Sequence, residues 1–159
     1  MHWILRPEST RERFFHGIQK ILKPNGLFVF EMGGLGNVAE MKSTFLSVVS
    51  RRVGMQKARE ADPWFFPDEL WMQDMLETKV GGWKVEKIER VYRPTKADEG
   101  GVEGWVRLMG KQFFDVVEDE EEREKCILEA CDILETVCRS PGGGDWLGYV
   151  RLRAIVRKM

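Results

Sequence analysis

Leu27-Phe28-Val29-Phe30 is an uninterrupted apolar run held between two stretches that cannot continue it. Pro24-Asn25-Gly26 turns the chain ahead of it, and Gly33-Gly34-Leu35-Gly36 follows once Glu31 and Met32 have passed. A short run of this kind suits a strand covered on both faces, as in a parallel sheet. Glycines directly after a buried strand let the backbone turn sharply or approach a ligand closely. Asn37, with Glu40, is suited to cap the helix that follows. That helix carries an apolar stripe of Val38, Met41, Phe45, Val48 and Val49, and Arg51 and Arg52 stand near its end, where cations favour the helix dipole.

The flanking segments have their own periodicities. Ser9-x-x-Glu12 reads as a capping box opening a helix over 8–22, with Phe14, Phe15, Ile18, Ile21 and Leu22 on one face. Residues 54–66 show little pattern and read as a loop, ending in the aromatic run Pro63-Trp64-Phe65-Phe66-Pro67. A short helix over 68–78 turns Trp71, Met72, Met75 and Leu76 inward. Residues 83–92 have strand character, but Ile88 falls out of phase with Trp83 and Val85, which a bulge reconciles. After a polar loop over 94–101, Val102, Trp105, Val106, Met109 and Phe113 make a helical face. Glu118-Asp119-Glu120-Glu121-Glu122 forms the solvated first turn of the next helix, where negative charge is favoured, and Ile127, Leu128, Cys131, Leu134 and Cys138 continue it inward. Residues 149–156 alternate cleanly, with Val150, Leu152, Ala154 and Val156 on one face and Tyr149, Arg151 and Arg153 on the other. The order is that of an α/β protein.

Composition removes several classes of function. At 159 residues, 43% hydrophobic and 32% charged, the chain is globular and of one-domain size. A net charge of −1 lacks the basic excess of a nucleic-acid binder. No apolar stretch reaches membrane-spanning length, and the first residues carry no secretory pattern, so a cytoplasmic protein is expected. Cys126, Cys131 and Cys138 do not form a disulfide framework and read as packed, reduced thiols. Cys126 and Cys131 are about 140° apart on a helix and diverge. Two His and three Cys supply no ligand cluster, so no metal is expected.

Several motifs go further. Leu22-Lys23-Pro24-Asn25-Gly26-Leu27 resembles the L-K-P-x-G turn before the fifth strand of class I S-adenosylmethionine-dependent methyltransferases. His2-Trp3 is similar to the end of the fourth strand in the trans-aconitate methyltransferase-like branch. Glu31-Met32-Gly33-Gly34-Leu35-Gly36-Asn37, Pro63-Trp64-Phe65-Phe66-Pro67, Gly101-Val102-Glu103-Gly104-Trp105 and Tyr149-Val150-Arg151-Leu152-Arg153 resemble further segments of that branch, in family order. The resemblance implies a partial Rossmann-like fold spanning 1–159. It would comprise the fifth to seventh strands, the last two an antiparallel pair, with a helical substrate cap over 94–145. The strand order would be fifth, seventh, sixth.

The same resemblance implies methyl transfer from S-adenosylmethionine to oxygen of a small carboxylic acid or secondary metabolite. His2 would be the catalytic imidazole and would border the donor with Trp3. Glu31, Gly33, Gly34 and Asn37 would line the acceptor side at the carboxyl end of the fifth strand, with Trp64 and Phe65 as walls and Trp105 on the cap. Arg93 or Arg107 would clamp an acidic acceptor. His16 reads as solvated. The family's G-x-G-x-G donor loop and ribose-binding acid find no counterpart, since the runs 33–36 and 142–144 lack the strand-turn-helix setting such a loop needs. A truncated chain follows as an expectation, from an internal methionine taken as a start or from a decayed gene. So do weak or absent S-adenosylmethionine binding and self-association through the exposed strand Leu27–Phe30. The rival reading is a catalytically inactive remnant or interaction module.

Overall fold

The computed structural model describes Met1 and residues 3–159. In chain order it runs α1 (Arg11–Ile21), β1 (Leu27–Gly33), α2 (Ala39–Val53), α3 (Met55–Ala61), α4 (Glu69–Asp74), β2 (Trp83–Tyr92) and β3 (Thr95–Lys96). It continues through α5 (Gly101–Met109), α6 (Lys111–Phe114), α7 (Glu120–Cys138), β4 (Trp146–Leu147) and β5 (Val150–Lys158). The chain divides into two compact units, one of Met1–Asn37, Trp64–Arg93 and Tyr149–Met159, the other of Val38–Pro63 and Pro94–Gly148.

The first unit is built on a three-stranded sheet of order β1-β5-β2, with β5 antiparallel to both neighbours. That is the order and pairing expected of the last three strands. Leu152, Ala154 and Val156 of β5 are all within 2% of full burial, as the alternation predicts. They pack with Phe30 and Met32 of β1, Phe15 of α1, Met72 of α4 and Leu76 of the π-helical turn after it. The bulge in β2 falls between Val85 and Lys87.

Among the described residues the doubly covered parallel strand is not found. Instead β1 is an antiparallel edge strand covered on one face: Phe30 and Met32 are buried, while Leu27 and Val29 are 45% and 64% exposed. Hydrophobic character alone cannot tell a two-sided strand from a one-sided edge. The first helix starts at Arg11, not at residue 8. A 3₁₀ turn over Glu8–Thr10 precedes it, and no side chain caps it, because Thr10 Oγ1 donates to the carbonyls of Ile4 and Pro7. Ile21 lies outside the buried face, at 78% exposure.

The second unit is helical, with a small antiparallel pair of β3 and β4 that the polar loop reading of 94–101 did not anticipate. Helix α3 occupies part of the segment read as loop; only its Ala58 is buried, so it carries no apolar stripe to announce it. On α2, Met41, Phe45, Val48 and Val49 are buried as expected. The Phe45 ring meets Phe114 at 4.9 Å and Phe113 at 5.5 Å, both edge-on. Arg51 and Arg52 reach Glu129 on α7. The acidic run opens α7 as expected: Asp119 Oδ1 accepts from the Glu122 amide at 2.9 Å. Leu128 is half-exposed, however, and all three cysteines are buried despite their angular spread, because α7 packs against both α2 and α5.

Burial pushes the thiols of Cys131 and Cys138 up to about 11 from an ordinary 9.0. A thiol whose pKa folding raises favours the fold while it stays protonated. That contribution is complete below pH 9 and lost as pH climbs toward the raised value. The melting temperature is therefore expected to fall between pH 9 and 11. A Cys131→Ala/Cys138→Ala variant, followed by circular dichroism, should show a shallower fall over that interval.

Candidate functional site

The carboxyl end of β1, within the first unit, gathers most of the residues the sequence singles out. Glu31 stands on the outer sheet face beside two residues of β5. Its Oε1 accepts from Arg151 Nε at 2.9 Å and its Oε2 from Arg153 Nε at 2.7 Å, with Arg93 Nη1 3.8 Å from Oε1. The bond from Arg153 is the main cause holding the Glu31 carboxyl below its ordinary range. One carboxylate thus faces three guanidinium groups, leaving an excess of positive charge at this end of the sheet.

The glycine loop lies between β1 and α2, so the run 33–36 does occupy a strand-loop-helix setting, contrary to the sequence reading. Its space is already filled. A Cβ on Gly33 would lie 2.5 Å from the Phe66 ring, and one on Gly34 would lie 3.0 Å from Leu152 Cβ and 3.2 Å from the Arg90 side chain. Main-chain bonds fix it further: Gly34 N donates to Val150 O at 3.0 Å and Leu35 N to Pro67 O at 2.9 Å. The glycines admit protein atoms and leave no room for a phosphate or ribose.

Asn37 is 4% exposed and does not cap α2. Its Oδ1 accepts from Val150 N at 2.9 Å, while its own amide donates to Gly34 O. A buried amide oxygen needs a partner, and the start of β5 provides one. Helix α2 opens instead from Val38 at φ 45°, without a side-chain cap, and Glu40 Oε1 accepts from Gly148 N at 2.6 Å.

The aromatic loop divides its rings. Trp64 is buried and stacks on Phe66 at 5.9 Å, the ring that rests on Gly33. Phe65 turns elsewhere: its ring meets Trp71 edge-on at 4.8 Å, and the Arg11 guanidinium lies 3.8 Å over its centroid. Trp3 is 41% exposed in the N-terminal turn, and His2 lies outside the described residues. Trp105 belongs to the other unit, where it packs beside Phe45 at 6.4 Å. Arg107 is committed to its own unit, donating to both carboxylate oxygens of Glu124 and to Glu103, which raises its pKa. His16 is exposed and pairs with Gln19.

Sequence reasoning missed Arg151, Arg153, Phe66 and Arg90 as residues of this end of the sheet. The alternation of β5 already placed both arginines on one face; only the pairing with β1 reveals that Glu31 is their neighbour. Beside them the outer face holds a hollow of about 340 Å³, floored by Val29, Ala154 and Ile155 and walled by Glu31, Arg153 and Lys87. A larger hollow of about 870 Å³ runs along α1 past Arg13, His16 and Lys20, away from the glycine loop.

These features define a mixed α/β chain with an antiparallel sheet and a closely packed loop at one strand end. No protein-family model matches it. It is similar to a Schizosaccharomyces pombe protein named Uncharacterized methyltransferase C70.08c, at 32% identity over 162 aligned residues. The alignment takes in 99% of this chain and 59% of the relative, so the chain spans about three-fifths of that protein's length. Among the described residues, no helix is long and apolar enough to cross a membrane.

Proposed function

We propose that this chain is the acceptor-binding portion of an S-adenosylmethionine-dependent methyltransferase of the trans-aconitate methyltransferase-like branch. Its fold is then the last three strands of a Rossmann-like sheet, and its acceptor a small carboxylic acid methylated on oxygen. The observation that carries this reading is the 32% identity to a protein named as a methyltransferase, held over nearly the whole chain. The motif order and the β1-β5-β2 arrangement support it. The guanidinium excess around Glu31 suits an acidic acceptor. A cytoplasmic setting accords with three unpaired thiols.

The residues present do not fit the methyl donor. The glycine loop 33–36, which the resemblance gives to the acceptor side, offers the donor no cradle either: it is packed by Phe66, Leu152 and Arg90, and Glu31 is engaged by arginines. No catalytic step is therefore assigned to this chain through the donor. That misfit favours a second reading, a catalytically inactive module that acts by association.

Titration calorimetry and methyl-transfer assays on the purified chain separate the two. The expected result is heat on adding small di- and tricarboxylic acids, with little or none on adding S-adenosylmethionine. Micromolar donor binding would overturn the division of labour. Silence toward every acid, together with no transfer, would favour the associating module.

A further inference from the structure

One side chain of β2 fastens the glycine loop between β1 and α2. Arg90 pairs with Leu152 of β5 and so shares its face of the sheet. Its Nη1 donates to the Leu35 carbonyl at 3.2 Å, and its aliphatic stem rests against Gly34, where a Cβ would stand 3.2 Å from Cγ and Cδ. Glu69, the first residue of α4, aims the guanidinium: its Oε2 accepts from Arg90 Nε, and its Oε1 accepts from Arg90 N at 3.1 Å. Leu35 is thereby held by both main-chain groups, since its own N–H donates to Pro67 O at 2.9 Å.

The loop in turn fixes the start of β5. Gly34 N donates to the Val150 carbonyl at 3.0 Å, and Asn37 Oδ1 accepts from the Val150 amide at 2.9 Å. The next residue is Arg151, whose Nε donates to Glu31 at 2.9 Å and whose guanidinium is one of those that suit an acidic acceptor. A run of contacts within the first unit therefore joins Glu69, through Arg90, Leu35, Gly34 and Val150, to Arg151. The pair at its head is poorly placed to serve overall stability: the Arg90 and Glu69 side chains are 34% and 30% exposed, and ion pairs so open to solvent add little to the free energy of unfolding. A guanidinium is instead a directional clamp, because its donors are fixed in one planar fork.

We propose that Arg90 is a positioning residue for the acidic acceptor. Clamped by Glu69, it sets the glycine loop and, through Val150, the Arg151 guanidinium, without touching the acceptor itself. This role rests on the reading of this strand end as an acceptor site, and it adds to that reading the pair of residues that tunes affinity there.

Glu69→Gln in the purified chain tests the role, because the rival roles differ in sign. Removing the carboxylate charge loosens the clamp. Calorimetric affinity for small di- and tricarboxylic acids, with succinate and citrate as probes, is expected to fall by about tenfold, within the usual range of coupling between separate sites. Without ligand, the Leu35 and Val150 amides should exchange hydrogen faster in this variant, while the thermal melt stays close to that of the parent. Arg90→Lys, which keeps the charge but presents a single nitrogen in place of the fork, should lose affinity alike. If Arg90 met the acid directly, Glu69→Gln would free its guanidinium and raise the affinity, and that result overturns the proposal. Unchanged affinity, the outcome of a purely structural pair, overturns it as well. A parent chain silent toward every such acid overturns the acceptor reading, and this role with it, before any variant is compared.

Discussion

Leu152→Ala is expected to lower unfolding stability by about 2–5 kcal/mol, the range for truncating a fully buried leucine. Leu152 is 0% exposed in the first half of the central strand, opposite Met32 of β1 and Arg90 of β2. Neighbours on both sides are held by the ladder and cannot collapse into the void. The residue also backs Gly34, so the loss reaches the glycine loop. Urea unfolding followed by tryptophan fluorescence should show a lower midpoint with an unchanged slope, as for a loss of stability without a change in the surface exposed. A shift under about 1 kcal/mol would mean that the site relaxes far more than a strand paired on both sides allows.

Gly33→Ala is expected to cost about 1–3 kcal/mol, the usual effect of overpacking. The added methyl would stand 2.5 Å from the Phe66 ring, which is itself stacked on Trp64. The ring cannot move without leaving its partner. Phe66→Ala alone loses that stack, but in the double variant it removes the obstacle to the methyl. The two changes should therefore be clearly non-additive, with the Gly33→Ala penalty mostly absent in the Phe66→Ala background. Additive effects would show that the methyl is accommodated elsewhere.

Much of the fold was legible because local pattern and tertiary demand coincide. The alternation of 150–156 is the buried face of a central strand, and the phase error at Ile88 is a real bulge. The acidic run before α7 is its first turn because that position favours both charge and solvent. Failures came where a residue's partner is distant. Asn37 looks like a cap until Val150, remote in sequence, claims its oxygen. Leu27 and Val29 look buried because they are apolar, yet their exposure depends on whether another layer packs on that face of the sheet. Helix α3 has too few buried residues to show a period. At the candidate site, Glu31, Gly33, Gly34 and Asn37 do share one strand end, as expected. Phe65 turns toward Trp71, and the role of filling the loop falls to Phe66, a distinction that three consecutive aromatics cannot express in sequence.

The strand at the centre of the sheet is the last of the three to be synthesised. While a ribosome is still making residues 94–149, β1 and β2 have no template between them, and each holds half of a ladder that cannot close. Local helices form early at little entropic cost, but the sheet waits for contacts more than a hundred residues apart, such as Leu27 with Arg157. The nascent chain thus passes through a prolonged interval with two unmatched strands, the stage at which chaperones have the most to shield.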